Sequence, residues 1–350
     1  MTEIAIDTFA FGREVSGMRT RSQNRWLCIS LSLFLLLSLV ACSRVAGGQE
    51  DAQTIADQAF TQPSPIELSI EDEEVPLSGS PAIMLAMPQA TGSAVQKNDK
   101  AIIDYSNSSD GYIMVQYTAS TTKKLKAQVK GPSGVTYTYN VTPGRYETLP
   151  LSDGSGSYKV TVFENVSGTS YATVVSTSLT ATLKNEFSPF LMPNQYVNYT
   201  PQSKVVAEAV RVTANASTPL EKVSSVYNYV VTNFTYDTQK AQTVQSGYLP
   251  DLDAVLAAKK GICFDYASVM TAMLRSQDVP TKLVVGYSKN VYHAWINVYT
   301  PESGWIEGAI FFDGKQWKLM DPTFASSAKQ SKAIMDYIGN GANYTAKYLY

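Results

Sequence analysis

Between residues 98 and 185 apolar and polar positions alternate with a period of two. Ala101–Tyr105, Tyr112–Tyr117, Leu125–Lys130, Thr136–Val141, Arg145–Leu149, Ser157–Glu164 and Tyr171–Leu183 are alternating or β-branched runs. That is the pattern of half-buried strands. Turn signals separate them: Ser109-Asp110-Gly111, Gly131-Pro132-Ser133-Gly134, Pro143-Gly144 and Asp153-Gly154-Ser155-Gly156. About seven short strands at this spacing predict a small β-sandwich over residues 98–185. It is immunoglobulin-like only in the generic sense, because no Cys…Trp…Cys pattern is present. It carries no catalytic cluster, and its expected role is a spacer or a module that presents substrate.

After residue 186 the period lengthens. Pro189, Pro193 and Pro201 mark a linker. Ser203 is placed to cap a helix with Val205, Val206, Ala209, Val210 and Val212 on its apolar side. A second helix begins near Ser217 or Thr218, with Pro219 in its first turn and a core stripe of Leu220, Val223, Val226, Tyr227 and Val230. Phe234–Asp237 closes it. A short helix follows at Ala254–Lys259. Gly261 is positioned to supply an unusual backbone angle. Tyr266, Ala267, Val269, Met270, Met273 and Leu274 then recur at helical spacing, which puts Cys263 at or near a helix N-terminus. Strands are expected at Lys282–Tyr287, Val291–Tyr299, Trp305–Ile306 and Gln316–Met320. The aromatic segment 337–350 is expected to add an edge strand.

The N-terminal third has neither period. Residues 27–41 are an apolar run preceded by Arg19, Arg21 and Arg25. A basic flank and 15 apolar residues fit a signal peptide better than a spanning helix, which needs about 20. The run ends Leu39-Val40-Ala41-Cys42, which resembles a bacterial lipobox. The resemblance implies cleavage before Cys42 and lipid attachment to its thiol. The stretch before Met18 is acidic for such a signal, making Met18 an alternative start. Residues 42–97, with Gly47-Gly48 and the acidic Glu71-Asp72-Glu73-Glu74, read as a flexible tether. The organisation expected is therefore a lipoprotein signal over 1–41, a tether over 42–97, the sandwich over 98–185 and a second domain over 186–350.

Charge and cysteine content narrow the chemistry. The net charge is −2 over 350 residues, which gives no electrostatic basis for a nucleic-acid partner. The three cysteines are Cys28, Cys42 and Cys263. The folded body thus has one thiol, and His293 is the only histidine of the chain. Zinc needs three or four ligands and no acidic loop has EF-hand spacing, so no metal and no cofactor is expected. A thiol at a helix N-terminus is biased toward the nucleophilic thiolate by the unpaired N–H groups and the dipole. His293 lies in the strand-like Val291–Tyr299. Asp321 follows in Lys318-Leu319-Met320-Asp321-Pro322-Thr323. A helix followed by two strands can bring Cys263, His293 and Asp321 together as nucleophile, proton shuttle and orienting carboxylate.

Gly-Ile-Cys-Phe-Asp-Tyr-Ala at 261–267, the segment 273–287, His293-Ala294-Trp295 and Asp321-Pro322-Thr323 resemble a transglutaminase-like domain in order and spacing. The resemblance covers roughly residues 203–350. It implies an α+β, papain-like core, with the Cys-bearing helix packed on an antiparallel sheet and a triad of Cys263, His293 and Asp321. Tyr236, where the family often carries a tyrosine, and Trp295 are expected to line the site. Asn297 stands where such domains often carry a carboxylate. Asp265 reads as a capping or structural carboxylate. The expected activity is hydrolysis or transamidation of peptide or glutamine amides. The expected substrates are envelope proteins, extracellular proteins or peptidoglycan peptides, met outside a bacterial membrane to which the lipid anchors the chain. The competing reading is a catalytically silent binding or assembly module on the same fold.

Overall fold

The computed structural model describes residues 4–5, 85, 87–307, 310–312, 317–319 and 343–350. The apolar run 27–41, Cys42, most of the expected tether and Asp321 lie outside the described residues. Among the described residues no helix is long and apolar enough to cross a membrane.

Each of the seven alternating runs forms a strand. The short β1 (Ile4–Ala5) and β2 (Val95–Lys97) precede β3 (Ala101–Asp104), β4 (Tyr112–Tyr117), β5 (Leu125–Lys130) and β6 (Thr136–Asn140). β7 (Tyr146–Pro150), β8 (Gly156–Ser167) and β9 (Ser170–Ala181) follow. They make two antiparallel sheets, of order β1-β9-β8-β5-β6 and β2-β3-β4-β7. Alternation sends Ile103, Ile113, Val115 and Leu149 from one sheet, and Ala127, Val129, Val160 and Val162 from the other, into one core. β2 falls inside the stretch that composition assigns to the tether. It pairs with β3, and the residues before it bond to the same sheet, with Gly92 N–H donating to Asp104 Oδ2 at 2.7 Å. Its three residues carry too short a pattern to read as a strand from sequence.

The second half is helical, then β. Helices α1 (Lys204–Val212) and α2 (Pro219–Asn233) present the expected apolar stripes to the core. At α2 Thr218 and Glu221 form a reciprocal capping box, with Pro219 at the first helical position. At α1 the expected cap is corrected. Ser203 Oγ accepts from Thr200 N–H instead, and the first-turn amides of Lys204 and Val205 donate to Asp253, at 3.0 and 2.9 Å. Asp253 lies in the first turn of α4 (Leu252–Ala258), so the cap comes from 48 residues away, beyond any local pattern. The polar α3 (Thr238–Thr243) has no apolar stripe and was not legible in sequence.

α5 (Cys263–Arg275) is the central element, and every residue in it is buried. It packs on α1, α2 and α4, and on the strands β12 (Thr281–Ser288) and β13 (Val291–Thr300). These strands belong to an antiparallel sheet of order β14-β13-β12-β17, with β14 at Gly304–Ile306 and β17 at Tyr344–Leu349. β17 is the edge strand expected from the C-terminal aromatics. Two smaller pairings complete the chain. β10 (Thr235–Tyr236) runs parallel to β11 (Lys260–Gly261), and β15 (Ile310–Phe312) runs antiparallel to β16 (Trp317–Leu319). The architecture is thus α+β: a Cys-bearing helix on an antiparallel sheet, after an antiparallel sandwich. The cores of the two halves are continuous, because Tyr137 and Tyr139 of β6 pack edge-on against Tyr350 with ring centroids 5.6 and 5.9 Å apart.

Candidate active site

The chain reaches α5 through a tight approach. α4 ends at Lys259 in the left-handed region, φ 46°. The unusual angle expected at Gly261 is therefore found two residues earlier. Gly261 has a different reason to be glycine. A Cβ there would lie 2.6 Å from Asp265 Cβ and 2.8 Å from its Oδ2, so only a hydrogen fits between the incoming strand and the first turn of α5.

Asp265 is fully buried and accepts three hydrogen bonds. Ile262 N–H donates at 2.8 Å, Lys240 Nζ at 2.7 Å and Tyr248 Oη at 2.6 Å. Ile262 has no side-chain acceptor, so this is half of a capping box, made from the N3 side. The reading of Asp265 as a capping carboxylate holds. Lys240 also lies over the Tyr248 ring, 4.4 Å from its centroid. An unpaired carboxylate here would oppose any anion at the start of α5. Lys240 offsets that charge and leaves the first-turn N–H groups and the dipole directed at the thiol. Burial, then Asp265, drives the Tyr248 phenol well above its usual range. Neither Lys240 nor Tyr248 stands out in sequence, since one sits in stripe-free α3 and the other in a loop.

Cys263 is the first residue of α5 and 5% exposed. Tyr236 pairs with Gly261 through β10 and β11, two residues before the thiol. From β13, Tyr292 comes within electrostatic reach of Cys263. Its phenol is pushed far up by burial first, with neighbouring tyrosines and Cys263 adding to the shift.

His293 is 4% exposed and sits opposite Gly286 of β12. Alternation turns Ala294, Ile296 and Val298 toward the α5 core. His293 and Trp295 are turned to the other face. There the imidazole stacks with Trp295, centroids 6.3 Å apart, and Tyr344 of β17 packs on both rings at 6.4 and 5.4 Å. A side chain at Gly286 would collide with the Thr345 carbonyl and come within 2.9 Å of Trp295, so this glycine makes room for the aromatic group. Asn297 is buried on the same strand. The structure therefore places Cys263 next to Phe264 at the start of α5, with the Tyr236 backbone paired to Gly261, and groups His293 with Trp295 and Tyr344, on a helix and a strand that abut. Tyr292 and Tyr344 are the aromatic neighbours that sequence reasoning missed. The former lay within the quoted strand, the latter in a segment read only as an edge.

Residues 207–308 match the model of the transglutaminase-like superfamily. These residues form a transglutaminase-like domain. The match includes Tyr236, Cys263, His293 and Trp295 and stops before Asp321. The chain is also 30% identical over 118 residues to the uncharacterized protein YebA of Bacillus subtilis (strain 168), a stretch that is 28% of this chain and 16% of YebA. Among solved structures it is similar to a Cytophaga hutchinsonii protein proposed to be a cysteine protease, at 14% identity and TM-score 0.34 over 73% of each chain. It is similar to red sea bream transglutaminase at 14% identity and TM-score 0.28, over 61% of this chain and 48% of that one.

Proposed function

We propose that the transglutaminase-like domain performs cysteine-dependent amide chemistry at Cys263. The observation that carries this reading is the position of the body's single thiol. It is the first residue of the buried central helix, and the first-turn carboxylate of Asp265 is paired with Lys240. In the proposed reaction Cys263 Sγ attacks a carboxamide carbon of a glutamine side chain or a peptide. The C–N bond breaks, the amine leaves with a proton from His293, and an S-acyl enzyme remains. Water releases the acid in hydrolysis; a primary amine releases a new amide in transamidation. Asp321 is proposed to orient His293, and the Cys263 N–H to help hold the oxyanion. The site is proposed to act outside a bacterial membrane on envelope or extracellular proteins or on peptidoglycan peptides. The basic flank, the run 27–41 and Cys42 support a lipid anchor.

One observation favours a second reading, a silent binding or assembly module: the imidazole packs against Trp295 and Tyr344 on the sheet face away from the α5 core. Mass analysis of the Cys263 peptide separates the two. After incubation with a panel of glutaminyl and envelope-type peptides, the chemical reading expects an acyl adduct on Cys263, equal to the substrate less its leaving amine, that is lost in His293→Ala. A clean, unmodified thiol across the panel would favour the silent module.

A further inference from the structure

The sandwich and the start of α5 meet across a crevice. Its walls include Lys126, Thr138 and Asn140 from β5 and β6, Tyr248 from the loop before α4, Phe264 from α5 and Tyr292 from β13. Phe264 follows Cys263 directly at the start of α5. The crevice therefore borders the first turn of α5, where the thiol sits, and one wall of it belongs to the sandwich.

Lys126 is 6% exposed. Its Nζ donates to Asn140 Oδ1 at 2.6 Å, the one hydrogen-bond partner it has among the described residues. A neutral amide satisfies one of three ammonium donors and supplies no counter-charge. The ion pairs of the described residues include none at Lys126. Lys240, packed against Tyr248 of the crevice wall, shows the contrast: its ammonium has Asp265 at 2.7 Å. A buried cation without a counter-ion is costly in a folded protein, and an anion delivered to it gains what the fold leaves unsatisfied.

We infer that the crevice receives a carboxylate of the substrate, on a side chain near the reacting amide or at a chain terminus, and that Lys126 is the specificity-determining residue. The inference rests on Cys263 as the reacting thiol. It also gives the sandwich a part in substrate selection.

The charged surroundings set the pH range. Lys124 lies on the same strand. The neighbouring strands offer the neutral Asn140 and Phe163 opposite Lys126. From the body come Tyr196, Tyr248, Tyr292 and Tyr350, all held protonated far above the ordinary phenol range by burial. Asp265, behind Tyr248, is paired with Lys240. Burial, then Lys124, lowers Lys126 to about 8. It is therefore a cation at neutral pH and loses its charge as pH rises through 8, so anion preference is present below that point and fades above it.

The test measures equilibrium binding to full-length Cys263→Ala protein, which binds without turnover. The probes are N-acetyl-glutamate α-amide, N-acetyl-glutamine with a free α-carboxylate, and the neutral N-acetyl-glutamine amide. At pH 6.5 at least one acid is expected to bind about tenfold tighter than the neutral probe, and the tighter acid identifies the source of the carboxylate. The preference is expected to fall to within about twofold at pH 9.5, in Lys126→Met and in Asn140→Asp, which keeps the lysine but neutralises it in place. Equal binding of all three probes, no binding at millimolar concentration, or a preference that survives both substitutions would overturn the inference. An acid preference without acyl transfer to wild-type Cys263 would leave the anion site standing and remove the proposed chemistry.

Discussion

Cys263→Ala is expected to lower kcat/KM for any amide substrate of this protein by a factor of about 10³ or more, a loss of about 4 kcal/mol of transition-state stabilisation. The side chain removed is small, so the fold should persist. The substitution deletes one sulfur from a buried helix start and no hydrogen bond on which α5 depends, since the cap comes from Asp265. Unfolding stability should change by no more than about 1 kcal/mol. The combination is diagnostic. A thiol that served only as core would show the opposite balance, with a measurable stability change and unchanged activity. Parallel measurement of steady-state rates and denaturant midpoints on the same preparations checks both halves.

The second large effect concerns the far end of α5. Arg275 is 2% exposed and forms no ion pair among the described residues. Its guanidinium instead donates to three backbone carbonyls: Thr281 at 2.9 Å, Met192 at 2.7 Å and Tyr350 at 2.7 Å. Those carbonyls belong to β12, to the linker before α1 and to the last residue after β17. One side chain thus ties the helix to three segments far apart in sequence. Arg275→Met keeps much of the volume but leaves the three acceptors without this donor. Tyr350 O keeps its bond from Leu283 N–H at 2.8 Å. Each acceptor left unsatisfied costs about 1–3 kcal/mol, and the relieved burial of the cation returns part of that, so a net loss of about 2–4 kcal/mol is expected. Burial holds the guanidinium down to about 10, so it stays protonated below that pH. Lowering a cation's pKa on folding disfavours the folded state wherever the cation persists, and stability from this group rises only as pH climbs past 10. Between pH 6 and 9 the loss should therefore be constant. Urea midpoints across that range check it, and a variant as stable as the parent would show that the carbonyls are satisfied in another way.

Much of this arrangement is legible in the sequence, for a physical reason. Strands β3 to β9 repeat a period of two between glycine- and proline-marked turns, and α1, α2 and α5 carry apolar stripes wide enough to read. The thiol at the start of α5 follows from the same stripe. What is not legible depends on distance. The cap on α1 comes from Asp253. The neutralisation of Asp265 comes from Lys240 on a helix without a stripe. The reason for Gly261 is the neighbouring Asp265 side chain rather than backbone angle. The crevice joins β5 and β6 to α5 across more than a hundred residues, and no local pattern marks Lys126 as buried. The aromatic group of His293, Trp295 and Tyr344 was half visible, since alternation along β13 places the first two on one face but does not reveal that β17 returns to cover them.

The central claim is that Cys263 is an activated nucleophile. It is tested most directly by the rate of Cys263 alkylation with iodoacetamide at about pH 7. The protein is the full chain carrying Cys28→Ser and Cys42→Ser, beside the same chain with His293→Ala. With those two cysteines replaced, Cys263 is the only thiol. Alkylation is expected to be rapid at that pH and to slow by about tenfold or more in the His293→Ala chain. A rate no faster than that of a free cysteine, or one unchanged by loss of the imidazole, would contradict it and leave a binding module on a transglutaminase-like fold.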